Sequence, residues 1–409
     1  MSGLFAQHAY LFVSLLKVVL VLLILLTVIA YLTWFERKVV AHMQSRWGPE
    51  RVGPHGLLQP LADGLKFLFK EDPTPAGADR FVYFLAPFLS LSLALCTIAV
   101  IPFGPGEVVI FGRTTSMSIA EIDISLLVVL AITALSVYGV ALAGWASNSK
   151  YPLLGGLRSS AQMVSYELAL TMSVVGIVLL SGTFSLRSIV LAQQGTSLGF
   201  LPRWFVFSPT TPQVFGFLCF FVAALAETNR VPFDLPEAET ELVAGFHTEY
   251  ASFKFAMFFM SEYAAMVTVS FVASLLFFGG WLSPFPEIPA FHWSYYLPTA
   301  LAGVGGFLLL VHGLRYHNLF GRIVLPALGV VFMALGAVCA LPGVNPLIQG
   351  PFWLFSKVFF FLFVYVWIRG TLPRFRYDQL MSFGWKVLLP VSLANVVLTS
   401  FLILLREQR

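Results

Sequence analysis

Charge is scarce in this sequence. Lys, Arg, Asp and Glu make up 11% of the 409 residues, less than half the roughly 25% of soluble domains. With 58% hydrophobic residues and a mean hydropathy of +0.86, an ordinary soluble domain is excluded and an integral membrane protein is indicated. Cysteine is scarce too: Cys96, Cys219 and Cys339 sit in apolar surroundings without CxxC spacing, which argues against a disulfide framework or a metal knuckle and for buried structural thiols. No CxxCH, GxGxxG or P-loop occurs, and the seven histidines show no pair spaced for haem. No metal site and no tightly bound redox cofactor are therefore expected, and electron chemistry has to come from a partner. The net charge of +4 makes no case for nucleic acid.

What is present is a succession of apolar runs. Ten candidate spans fall at about 11–35, 82–103, 122–145, 163–182, 212–229, 253–281, 297–314, 323–341, 352–369 and 386–405. Because backbone groups in lipid must be paired internally, these spans are read as helices, giving an all-α bundle of about ten in a single polytopic domain. Most of the 24 Lys and Arg fall in the loops at 36–80, 146–162, 227–254, 315–322 and 369–386, which the positive-inside rule assigns to the cytoplasm, with the N-terminus outside.

The first of these loops carries two Gly-Pro steps, Gly48-Pro49 and Gly53-Pro54, that break any helix continuing from the first span. Beyond them Leu57, Leu58, Leu61, Leu65, Leu68 and Phe69 recur at helical spacing, with Gln59, Asp63, Lys66 and Lys70 on the other side. That pattern predicts an amphipathic helix lying in the membrane surface. A segment anchored to headgroups accounts for it; so does the mouth of a crevice, with Arg37, Arg46 and Trp47 nearby, for an amphiphile entering from the bilayer.

Residues 226–250, AETNRVPFDLPEAETELVAGFHTEY, carry Glu227, Asp234, Glu237, Glu239, Glu241 and Glu249 against a single Arg230. Pro232 and Pro236 forbid a continuous helix here. A solvated acidic loop is one reading. The interleaved Val231, Phe233, Leu235, Leu242, Val243 and Phe246 favour another, in which the loop folds against protein and crowded carboxylates are partly desolvated, raising their pKa toward neutrality. Two further acids fall within spans. Glu262 lies about ten residues, or roughly 15 Å, into the sixth, and Glu167 is expected near the cytoplasmic start of the fourth. Ionisable groups at such depth face protein or water and suggest a proton or ion path. Lys17 and Lys357, also within spans, are expected to snorkel or to find a partner.

Four long blocks, WFERKVVAHMQSRWGPERVGPHGLLQPLADGLKFLFKED, YGVALAGWASNSKYPLLGGLRSSAQMVSYE, LAETNRVPFDLPEAETELVAGFHTEY and WIRGTLPRFRYDQLMSFGWKVLLP, resemble the H-subunit family, the junction membrane subunit of respiratory complex I, the proton-pumping NADH:quinone oxidoreductase. The resemblance covers most of 11–282 and 352–405. It implies a bacterial cytoplasmic (inner) membrane protein that seats the hydrophilic arm, with its iron-sulfur and quinone-site subunits, beside other membrane-arm subunits. It also implies a lipid-facing tunnel for ubiquinone or menaquinone as substrate. Carried over by residue, Arg37, Arg46, Trp47, Asp63 and Lys66 would line or support the quinone entrance, and Arg230, Phe233 and Asp234 the inner chamber. Glu167, Glu227, Glu237, Glu239, Glu241, Glu249 and Glu262 would start the proton path. Arg369, Arg374 and Arg376 would contact the hydrophilic arm or balance those acids. Against the family's usual eight spans, 283–351 reads as an added peripheral hairpin. Similar subunits serve membrane-bound hydrogenases and ferredoxin- or deazaflavin-linked complexes. A stand-alone ion-coupled transporter is the remaining alternative, without the inverted pair of broken spans that marks that class.

Overall fold

A computed structural model describes residues 2–110, 113–197, 201–234, 244–285 and 289–407. Among them the chain is an all-α integral membrane bundle. Nine helices are long and apolar enough to cross a bilayer, and Val214–Glu227 is a tenth, shorter apolar helix. In chain order the helices are α1 (Ser2–Met43), α2 (Gln59–Phe69), α3 (Arg80–Thr97), α4 (Ser125–Ala146), α5 (Lys150–Ser181), α6 (Leu186–Ala192), α7 (Val214–Glu227), α8 (Ser252–Phe277), α9 (Leu297–Leu314), α10 (Leu319–Cys339), α11 (Asn345–Thr371), α12 (Tyr377–Phe383) and α13 (Leu389–Glu407). Two small antiparallel ribbons, β1 (Glu107–Ile110) with β2 (Arg113–Ser116) and β3 (Thr196–Ser197) with β4 (Leu201–Pro202), complete the fold.

Helix α1 overruns its apolar stretch and ends at Met43, before the Gly48-Pro49 step. Helix α2 matches the expected surface helix: none of its residues is buried, and Leu61, Leu65, Leu68 and Phe69 are exposed. An apolar row with no protein against it is what a helix lying on lipid or on a partner presents. The fourth span corrects the sequence reading. It begins at Lys150, not 163, so the segment taken as the loop 146–162 is mostly helix and Glu167 lies mid-helix rather than at its start. Small residues explain the difference. A Cβ on Gly156 would stand 3.1 Å from the Gly144 Cα, and one on Gly155 would stand 2.6 Å from the Gly245 Cα, so glycines let α5 cross its neighbours at backbone distance and stay folded against protein.

Helix α7 is corrected in length. Fourteen residues span about 21 Å, short of the roughly 30 Å hydrocarbon core. It stands inside the bundle, where Cys219, Phe220 and Ala223 to Ala226 are buried. Its end at Glu227 frees the backbone for the turn that builds the site. Phe217, Phe221, Phe278 and Phe361 pack in tilted and edge-on pairs between α7, α8 and α11, with centroids 4.9 to 6.2 Å apart. Helices α9 and α10 pack on each other through Gly306 and Gly329, where a Cβ on either would meet the other's carbonyl oxygen at 2.6 Å.

Lys17 and Lys357, the two lysines read as lying within spans in the sequence, have backbone partners. The Lys17 ammonium donates to the carbonyls of Ser116 (2.8 Å) and Ser118 (3.1 Å). Lys357 donates to those of Phe278, Gly280 and Leu282 at 2.7, 2.8 and 2.6 Å, closing the C-terminal end of α8.

Candidate functional site

The site is built where α7 stops. After Glu227 the chain turns through Thr228, Asn229 and Arg230, with Asn229 in the left-handed region (φ 49°), a conformation that asparagine tolerates better than most residues. The turn is held from α5: the Gln162 side-chain amide donates to the carbonyls of Ala226 and Phe233, both at 2.8 Å. That bond pair spans the turn and fixes where Arg230 points.

Arg230 points at Glu36 of α1. Its Nη1 lies 3.5 Å from both carboxylate oxygens, and both side chains are buried. The Tyr263 hydroxyl of α8 donates to Glu36 Oε2 at 2.8 Å, and Arg369 of α11 pairs with Oε1. The Arg230 guanidinium also stacks over the Tyr263 ring, 4.1 Å from its centroid. One carboxylate thus holds two arginines and a tyrosine drawn from three other parts of the chain. Next to it, Asp234 is buried and paired with Arg374 at 3.3 Å. The Phe375 N–H donates to the Pro232 carbonyl at 3.0 Å, and the Phe233 ring lies between Tyr166 (5.5 Å) and Phe375 (5.6 Å).

Below the turn lies a small cavity of about 50 Å³, bounded by α3, α4, α5, α7 and α8, with polar groups set into a largely apolar wall. Glu227 and Glu262 both line it, with Thr97, Thr133, Ser136 and Ser261. A water needs roughly 10–15 Å³ measured this way and two to four polar partners, so the cavity has room for more than one. Thr133 hydrogen-bonds the Glu227 carboxyl, and Glu167 lies close enough to act on it electrostatically. Of the sequence-predicted acids, Glu227 and Glu262 are brought together at this cavity, while Glu167 does not line it but lies within electrostatic reach of Glu227. Glu249 is not among the cavity's lining residues; its backbone carbonyl accepts from the Tyr83 hydroxyl at 2.6 Å. Glu237, Glu239 and Glu241 lie outside the described residues.

Of the entrance residues, Arg37 and Asp63 meet at 2.7 Å, tying α1 to α2, and Gln59 adds a 3.0 Å bond to Asp63. Arg46, Trp47 and Lys66 are exposed beside them, Trp47 at 80%. Arg369 and Arg374 reach buried acids, whereas Arg376 stays exposed.

Three residues central to this geometry escape a reading of the sequence. Glu36 sits in WFERK beside Arg37 and Lys38 and looks like an interfacial acid. Tyr263 looks like core. His247 looks like part of a polar loop, yet it is buried. Among the described residues neither of its ring nitrogens has a hydrogen-bond partner, and its Nε2 lies 3.8 Å from Glu262 Oε1. Burial pushes this imidazole down to about 4, so it is neutral at physiological pH. A separation of 3.8 Å is too long for a hydrogen bond that would pull it back up.

A family profile described as NADH dehydrogenase matches residues 16–400. The chain belongs to that family. Among curated relatives, the NADH-quinone oxidoreductase H subunit 1 of Solibacter usitatus is 51% identical over 396 residues, covering 97% of this chain and 98% of the relative. The corresponding H subunit 2 of Koribacter versatilis is 49% identical over 410 residues, with 97% and 98% covered. The NADH-quinone oxidoreductase H subunit of Thermomicrobium roseum is 45% identical over 379 residues, 92% of each chain. The family match runs across the Glu36 cluster, the cavity and the α9–α10 pair alike.

Proposed function

We propose that this chain is the junction membrane subunit of a proton-pumping NADH:quinone oxidoreductase, complex I, in a bacterial cytoplasmic membrane with its N-terminus outside. Full-length similarity to relatives named as H subunits of NADH-quinone oxidoreductase supports the assembly. The concentration of Lys and Arg in the loops at one end of the bundle supports the orientation. Its partners are the iron-sulfur and quinone-site subunits of the hydrophilic arm, which supply electrons, and the neighbouring subunits of the membrane arm. Its substrate is ubiquinone or menaquinone, and it holds no tightly bound redox cofactor of its own.

The observation that carries the reading is the continuity of the Glu227 to Arg230 turn. Glu227, Thr228 and Asn229 face the cavity, while Arg230 is locked to Glu36. A change in charge beside Arg230 is therefore felt three residues back by Glu227 at the cavity wall. In this reading Arg37, Arg46, Trp47, Asp63 and Lys66 frame the opening through which quinone leaves the bilayer. Arg230, Phe233 and Asp234 form the chamber wall, positioned by Arg369 and Arg374, with Arg376 facing the hydrophilic arm. When quinone reduction alters charge at that wall, the carboxylates Glu167, Glu227, Glu237, Glu239, Glu241, Glu249 and Glu262 exchange protons along the start of the proton path.

The test is a pair of variants in the assembled complex. Glu227→Gln and Glu262→Gln are expected to cut quinone-coupled proton pumping at least tenfold, on the scale of a lost proton-transfer group. Oxidation of NADH by an artificial acceptor upstream of quinone is expected to stay at the wild-type rate. Pumping at wild-type level in both variants defeats the assignment.

A further inference from the structure

The cavity acids leave one buried titratable group unused. His247 closes a short 3-10 turn (Gly245–His247) before α8 and is 6% exposed. Aromatic rings enclose it: Phe246 with centroids 3.8 Å apart, Phe255 at 5.4 Å and Phe258 at 5.5 Å. A buried imidazole ordinarily gives at least one nitrogen a fixed partner, because leaving a buried polar group unpaired costs about 1–3 kcal/mol. Here, among the described residues, both nitrogens lack a hydrogen bond. The charged group facing it across the packing is Glu262 of α8, whose Oε1 stands 3.8 Å from Nε2, and the next acid around the same cavity is Glu227 of α7. Phe246 and Phe258 both line that cavity, so His247 lies directly behind its wall.

We infer that His247 is a proton-accepting partner of Glu262. The inference rests on the reading of Glu262 as a coupling acid and adds the group it works against. The step is a bare proton transfer: the Glu262 O–H bond breaks, an N–H bond forms at His247 Nε2, and a neutral pair becomes an imidazolium–carboxylate pair. Closing 3.8 Å to hydrogen-bonding distance takes a movement of about 1 Å, within reach of a side-chain rotation. The neutral ring tolerates its apolar nest at rest. The charged ring is stable only against an ionised Glu262, so the proton cannot rest on His247 while Glu262 remains protonated. Coupled in this way, the two groups titrate as a pair, in steps that belong to neither side chain alone.

The experiment uses the whole complex in inverted membrane vesicles, with proton uptake and NADH:quinone reduction recorded side by side. His247→Phe fills the aromatic nest and keeps its packing; His247→Ala opens it. Both are expected to lower pumping about tenfold or more while artificial-acceptor oxidation, which reports assembly, is unchanged. Added 4-methylimidazole is expected to restore His247→Ala in proportion to its unprotonated fraction as pH is varied. Toluene, which fills space without a nitrogen, is expected not to. Wild-type pumping in His247→Phe, or equal rescue by toluene, overturns the inference. Glu262→Gln separates the two levels: if it pumps normally, the reading of Glu262 itself fails, and if it is impaired while His247→Phe is normal, only the role of His247 fails.

Discussion

Arg230 and Glu36, 194 positions apart in the chain, face each other at 3.5 Å with less than a tenth of either side chain exposed. Arg369 reaches the same carboxylate from α11, so Glu36 is the anion that lets two guanidinium groups converge in a low-dielectric setting.

Removing Glu36 takes away the carboxylate shared by the buried Arg230 and the partly exposed Arg369. Breaking a buried pair by deleting one partner costs about 3–5 kcal/mol. Glu36→Ala is therefore expected to lower the thermal stability of the solubilised complex by that order and to abolish quinone reduction. Glu36→Gln, with Arg230→Gln added, is expected to recover part of the stability and none of the activity, because the charge cost is relieved while the chamber wall is lost. Differential scanning fluorimetry beside quinone-reductase assays checks both. A single Glu36→Ala variant as stable as wild type counts against a buried ion-pair core.

Much of the scaffold is legible in the sequence because its signals are local. Apolar runs mark the spans, the Gly-Pro steps stop α1, and the Leu57 to Phe69 row marks α2. The start of α5 is hidden because KYPLLGGLRSS is too polar and glycine-rich to resemble a span, and only the glycine-to-glycine crossing explains why it is helix. The site is legible in part. Arg230, Asp234, Glu227 and Glu262 stand out as charges among apolar residues, but Glu36 is disguised by the two cations after it. Its partners come from three distant segments, which no local pattern records.

Lys357 yields a second expected outcome. Its ammonium donates to three carbonyls at the end of α8 and lies over the Trp204 ring at 4.4 Å. Lys357→Met keeps the stem and removes all three donors. Since bonds to a charged group contribute about 1.5–3 kcal/mol each, a loss of about 3 kcal/mol or more is expected, read as a lower midpoint in thermal unfolding of the detergent-solubilised chain. An unchanged midpoint rules out the capping role.

His247 adds a pH term to stability. Its folded value, near 4, lies below the ordinary 6.5, so the unfolded chain binds the proton first as pH falls. Stability is full above about 6.5, declines through the window from there to about 4, and the total loss is about 3 kcal/mol. Unfolding midpoints of the solubilised chain at pH 7.5 and pH 5 are expected to differ more for wild type than for His247→Phe, which has nothing to protonate. Equal differences count against the buried neutral ring.

The last expectation concerns the contact between the α9–α10 pair and the loop after α1. His55 Nε2 and His312 Nε2 are 2.9 Å apart and their ring centroids 5.1 Å apart, an in-line arrangement in which one imidazole donates and the other accepts. His55 stands in the left-handed region (φ 52°), with its carbonyl accepting from Trp34 at 3.2 Å and its N–H donating to the Tyr316 hydroxyl oxygen at 3.3 Å. Partial burial, His312 and Lys38 lower its pKa, in that order, and Glu50 opposes them. Because the folded value of His55 is depressed, the contact is complete above the ordinary histidine pKa of about 6.5 and weakens as pH falls below it and His55 takes up a proton. Hydrogen exchange over residues 53–58 and 312–316 is expected to be slow at pH 7.5 and, after correction for intrinsic rates, faster at pH 5.5. His312→Gln, which can still donate or accept but cannot charge, is expected to remove that difference. Protection that ignores pH in the wild type means that other packing, not the histidine pair, holds the two elements together.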